Sequence, residues 1–379
     1  MRVLIAPDSF AGTLSAVEAA AAIAAGWRDT APDDELVLAP LSDGGPGFVD
    51  VVRAALGGEV RTAAVTGPLG EPVEASWLLA PGAVAYLETA QACGLHLVPA
   101  DRRDPGVTTT YGVGELVAAA VDAGAGRLVL GLGGSGTNDG GAGALAALGA
   151  RPADLLRAGG GALRGLGEAP GTVDLTAARG RVADVGLVIA TDVDSPLLGL
   201  RGASAVFGPQ KGADADAVQR LDAALERFAR AAQPGVGLNM AGSPAVAPGA
   251  GAAGGLGYGL LLLGATRVAG IATVLELTGL AAAAGRVDVV VTGEGCFDWQ
   301  SLQGKVVAGV AAAATAAARP CVVLAGRVEV GRREMAALGV ESAYAVTDLT
   351  GSAAEAQARP AEHLRALAAR VARAWSHRG

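Results

Sequence analysis

The sequence predicts an α/β fold in two domains, the second inserted into the first. Three observations carry that prediction. Short unbroken runs of Val, Ile and Leu recur along the chain and end in Gly- or Asp-bearing loops, as parallel strands buried on both faces do. Alanine-rich stretches of helical composition separate them. The stretch 61–88 breaks this pattern with turns at Gly67-Pro68, Gly70-Glu71-Pro72 and Pro81-Gly82, and reads as an antiparallel unit. A length of 379 residues suits two domains.

In chain order, residues 3–6 form the first strand. Ser15 and Glu18 make a capping box that opens a helix to about Trp27. A strand at 36–38 follows, and 61–88 departs into the second domain. Strands at 128–130 and 187–190, with a helix at 142–148 between them, continue that domain. Strands at 287–291, 321–324 and 344–346 return to the first, with a helix at 308–318. The expected boundaries are 1–64 with 287–379 for a discontinuous, Rossmann-like domain, and 65–286 for the insert.

Composition narrows the function. Half of the chain is hydrophobic, with the excess mostly alanine, and only 3% is aromatic, so helices should pack closely on small side chains. A net charge of −8 with no basic block argues against nucleic acid as a partner. Cys93, Cys296 and Cys321 are odd in number, lack metal-ligand spacing and fit a reducing compartment. The N-terminus shows no signal-peptide pattern, and no apolar stretch is long enough to span a membrane. A cytoplasmic location is expected; the oligomeric state is not indicated.

The cations are uneven: 27 arginines against two lysines, Lys211 and Lys305. A lysine retained under such a bias is a candidate for a point charge on an anion, which arginine's planar fork replaces poorly. In open α/β sheets ligands collect where strands end. Here those ends carry Asp8-Ser9, Asp43-Gly44-Gly45, Asp192, and Glu294 with Asp298 beyond it. One such acid reads as a helix cap. Together they suggest a cleft that holds a divalent metal or takes a proton from a hydroxyl. The loop 131–141 contains Gly133, Gly134, Ser135, Thr137, Asn138 and Asp139, and its N–H groups could hold anionic oxygens. Gly131, Gly133 and Gly136 match a dinucleotide fingerprint, a weak signal alone. A second glycine cluster, including Gly251, Gly254 and Gly255, opens another helix. Neither lysine sits in a Walker A loop.

These residues resemble the type I glycerate kinases, in order and over nearly the whole chain. The resemblance rests on Ala6-Pro7-Asp8-Ser9-Phe10, Asp43-Gly44-Gly45, Thr108-Thr109-Thr110-Tyr111-Gly112, Thr137-Asn138-Asp139-Gly140-Gly141, Phe207-Gly208-Pro209-Gln210-Lys211-Gly212 and Thr292-Gly293-Glu294-Gly295. It implies two α/β domains with the active site in the cleft between them, ATP with Mg²⁺ as cofactors, and glycerate as the small-molecule substrate. Catalytic roles then fall to Asp192, Lys211 and Asp8, with Asp192 first choice as base, and Mg²⁺ to Asp192 and Glu294. The chain departs from the family at Ala11 (usually Lys), Pro46 (usually Glu), Ser195 (usually Asn), Cys296 (usually Arg) and Trp299 (usually a small hydroxyl residue). A relative that binds a nucleotide or sugar acid with lost or altered activity is the alternative; Trp299 and Phe48 would suit a more apolar acceptor, or else core packing.

Overall fold

The computed structural model describes residues 1–10, 12–167, 169, 171–233, 237–302 and 305–376. Among these residues are eleven strands: β1 (Arg2–Ile5), β2 (Glu35–Leu38), β3 (Glu59–Thr66), β4 (Pro72–Ala80), β5 (Val84–Glu88), β6 (Arg127–Gly131), β7 (Gly186–Ala190), β8 (Thr266–Val268), β9 (Val289–Phe297), β10 (Cys321–Val328) and β11 (Ser342–Ala345). The chain divides into two compact units. The first comprises Met1–Asp43, Asp50–Gly57 and Ile271–Gly379; the second comprises Gly44–Val49 and Gly58–Gly270.

Unit 1 holds a five-stranded parallel sheet ordered β11-β10-β9-β1-β2. Val3, Ile5, Val289, Val291, Val322 and Leu324 are buried in it, as continuous apolar runs require. The Ser15–Glu18 capping box is formed and starts the helix Ala16–Thr30. That helix packs on the helix Pro360–Trp375 through Gly26, where a Cβ would strike the Arg365 carbonyl. Trp27, Leu364 and Leu367 fill the layer beneath.

Unit 2 holds a six-stranded sheet ordered β3-β4-β5-β6-β7-β8. The strands β3, β4 and β5 form an antiparallel meander, and β5 through β8 run parallel. The irregular stretch 61–88 is thus the antiparallel edge of a mixed sheet, not a unit of its own. A boundary at 64/65 would cut β3, whose every residue pairs with β4, so the division falls at 57/58. At the other end the helix Gly270–Leu277 sets its Ile271 and Leu275 against Gly309 of the helix Val306–Ala316, which draws 271–286 into unit 1.

The helix contact in unit 1 is testable. Gly26→Val should lower stability by about 1–3 kcal/mol, the range for overpacking a closed site. Gly180→Ala, in the helix Thr176–Arg181 with open space at its Cβ, should be neutral or stabilising by up to about 1 kcal/mol. Urea unfolding midpoints report both; equal midpoints would refute the contact.

Candidate active site

In unit 1 the chain leaves β1 toward β2 on one side, while β9, β10 and β11 succeed one another on the other side. The pair β1/β9 is therefore the point where strand order reverses, the usual ligand position in an open sheet. The ladder continues past the end of β1: Ala6 N donates to Val291 O at 2.7 Å and Asp8 N to Gly293 O at 2.8 Å. Gly293 is required here, because a Cβ would strike the Leu324 carbonyl. These bonds seat Asp8, just past β1, beside Glu294 in β9. Burial pushes the Asp8 carboxyl up to about 8, helped by Asp43 and Glu294 and opposed by the Ser9 N–H, which donates to Asp8 Oδ1 at 2.6 Å. Burial likewise pushes Glu294 up to about 7, opposed by a hydrogen bond with Ser301 and by the Lys305 ammonium. Glu294 is 8% exposed, and its Oε1 has no hydrogen-bond partner among the described residues. Asp298 accepts from Gln300 N at 2.8 Å, while its own N–H donates to Ser301 Oγ. Asp8, Asp43, Glu294 and Asp298 thus act on one another electrostatically, with one lysine among them.

In unit 2 the glycine loop after β6 is held from beneath. Lys211 is 2% exposed, and its Nζ donates to Ser135 Oγ at 2.9 Å and to Thr137 O at 2.8 Å. Burial pushes that ammonium down to about 8. Asp139 is fully buried and accepts from Thr110 N, Gly141 N and Gly143 N at 2.8, 3.1 and 3.2 Å. It caps the helix Ala142–Ala147 itself, so those N–H groups are not offered to a phosphate. Burial raises the Asp139 carboxyl, and these hydrogen bonds oppose the rise. Asn138 Nδ2 donates to Ser204 Oγ at 2.9 Å, leaving Asn138 Oδ1 without a partner among the described residues. The second glycine cluster packs onto this loop. Gly140 N donates to Gly254 O at 3.0 Å, and a Cβ on Gly254 would collide with Thr137 O. Ala253, Gly254 and Gly255 run at φ 52°, 67° and 88°, a left-handed turn that only glycine adopts cheaply. After β7, Arg267 pairs with Asp194 at 2.8 Å and donates to Thr191 O, which frames the partly buried Asp192.

The chain matches the family model described as "Glycerate kinase family" over residues 3–376. Glycerate kinase of Bacillus subtilis is 44% identical over 352 residues, covering 91% of this chain and 90% of that protein. Glycerate 2-kinase of Escherichia coli is 41% identical over 362 residues, covering 94% and 93%. A crystal structure described as glycerate kinase 2 from Salmonella typhimurium LT2 superposes with a TM-score of 0.79 at 38% identity, covering 99% and 98%. This chain belongs to the glycerate kinase family.

Against that family, several expectations change. Lys211, Asp139, Gly254 and Gly255, expected at ligand, also hold the loop together within unit 2, the first two by hydrogen bonds and the glycines by close backbone approaches. Gly251 meets the Pro196 carbonyl and Gly133 meets Gly45. Gly131 and Gly136 face Gly44 and Leu95, so the dinucleotide spacing reflects backbone packing, not a pyrophosphate seat. Of the departures, Pro46 lies against Gly134, the Ser195 carbonyl accepts Gly251 N at 2.9 Å, and Ala11 lies outside the described residues. Cys296 pairs directly across from Arg327, whose Nη2 lies 3.5 Å from Sγ, so a cation stands beside the position where the family has one. Trp299 is 62% exposed and packs in no core, whereas Phe48 is fully buried edge-on to Tyr86 at 6.1 Å. Two groups carried no signal in the sequence: Ser301 in unit 1, and Glu88, buried at the end of β5 with Oε2 accepting Gly47 N at 2.9 Å. The scarcity of lysine did flag Lys305.

If Lys211 serves the loop, Lys211→Met strands two buried acceptors and should cost about 1–3 kcal/mol for each. Thermal unfolding checks it. An unchanged melting temperature with activity abolished would show an ammonium used on substrate.

Proposed function

We propose that this chain transfers the γ-phosphoryl group of ATP to a hydroxyl of glycerate, and that its two compact units act as the two domains of that kinase. The observation that supports this most is the family match along almost its entire length, to relatives named as glycerate kinases. The carboxylates at the β1/β9 switch point suit the chemistry. A general base works best with a pKa near operating pH, and Asp8 and Glu294 are raised to about 8 and about 7. Either is a candidate acceptor of the substrate proton. Lys305 adds a compact positive charge beside them, suited to phosphate oxygens as the transferring group moves.

The same residues fit Mg²⁺. The donors are carboxylate oxygens, and the orphaned Oε1 of Glu294 lacks any other partner among the described residues. Asp43 and Glu294 would hold the ion. When bound, Mg²⁺ neutralises charge on the phosphates. On the unit 2 loop, Thr137 Oγ1 and Asn138 Oδ1 are buried polar atoms without a hydrogen-bond partner among the described residues. Arg327 beside Cys296 weakens the reading of a relative stripped of its cations. No helix among the described residues is long and apolar enough to cross a membrane; a cytoplasmic setting is part of the proposal.

An ADP-release assay with D-glycerate, ATP and Mg²⁺ should show turnover on the order of 1–100 per second. Glu294→Gln and Asp8→Asn should reduce it about 10²-fold or more where the residue is the base. Full activity of both variants would remove the proton-transfer role, and absence of turnover on glycerate would sink the substrate assignment.

A further inference from the structure

Unit 1 contains a second feature at the same sheet edge. A cavity of about 210 Å³ lies against the C-terminal parts of β9 and β10, walled by Phe10, Val346 and Ala356. Its lining includes Gly295 and Gly326, where the two strands approach so closely that a Cβ on Gly326 would meet the Gly295 carbonyl at 2.5 Å. That part of the lining carries no side chains, so a flat group can lie against it. Thr347 and Gln357 also line the cavity, and the Gln357 amide has no hydrogen bond to a described residue. Gly295 adjoins Glu294 in β9, so the cavity reaches the backbone next to Glu294, whose side chain projects to the opposite face of the sheet.

We propose that this cavity receives the heteroaromatic base of the nucleotide. The inference rests on the glycerate kinase reading, because that reading fixes the reactants. Glycerate and the triphosphate are small, charged and without apolar surface. The base alone presents a flat face that gains from apolar walls and an edge that matches an amide and a hydroxyl. The volume agrees: pockets for whole drug-sized ligands run to about 300–1,000 Å³, so this one takes a ring system rather than the entire nucleotide. Arg327 also lines the cavity, but its guanidinium is already engaged by Glu329 at 2.8 Å and lies beside Cys296, which argues against a seat for the glycerate carboxylate.

Cys296 makes the proposal measurable. It lines the cavity and is partly exposed, whereas Cys93 and Cys321 are fully buried with thiols pushed up to about 12. Iodoacetamide should therefore label Cys296 selectively in the intact protein. Saturating adenosine, which carries no phosphate, should slow that labelling about tenfold, the scale of one base-stacking contact, and glycerate should not. Ala353→Trp, at an exposed lining position, should raise the KM for ATP by about tenfold and leave the KM for glycerate unchanged. If the wild type turns over glycerate, yet adenosine gives no protection and Ala353→Trp keeps its KM for ATP, the base binds elsewhere and the kinase reading survives. If glycerate is not turned over, the kinase reading fails, and adenosine protection still decides whether the cavity takes a base.

Discussion

Carboxylates crowded at the ends of two adjacent buried strands set the character of this molecule. Asp8 follows β1 and Glu294 lies in β9, and the parallel ladder between them leaves neither side chain free to move away from the other. Like charges held this way in a desolvated site favour the protonated form. The folded chain therefore binds more protons than the unfolded chain between the ordinary values, 3.8 and 4.5, and the raised ones, about 8 and about 7. The sign follows: this cluster costs little stability at low pH and progressively more as pH rises through that window. Lys305 offsets part of the cost, and a bound cation would offset more.

Unit 2 solves the reverse problem. Its glycine loop needs a fixed backbone, and a buried ammonium, a buried carboxylate and three left-handed residues supply it. Ala253 at φ 52° carries strain that the neighbouring glycines avoid. Rigidity of this kind holds the loop's two orphaned polar atoms, Thr137 Oγ1 and Asn138 Oδ1, in fixed places.

Much of this was legible in the sequence. The parallel strands announced themselves as unbroken apolar runs, and the Ser15–Glu18 box marked its helix, because both signals are local. The carboxylates of unit 1 were legible because a strand end is a property of position in the chain. What the sequence hid is long-range. It could not show that Lys211 points into the protein, since a buried ammonium and a ligand-facing one look alike in a Gly-Pro-Gln-Lys-Gly motif. It could not show that β3 pairs with β4 along its full length, which moves the boundary from 64/65 to 57/58. The cross-strand placement of Arg327 beside Cys296 likewise depends on register between segments some thirty residues apart.

The central claim is that the carboxylates at β1 and β9 hold protons until a cation replaces them. Calorimetric titration of the intact protein with Mg²⁺ alone, near neutral pH and in two buffers of different ionisation enthalpy, counts the protons exchanged on binding. The account predicts net proton release into the buffer, reduced in Glu294→Gln. Binding with no buffer-dependent heat, or release unchanged by that substitution, would contradict it.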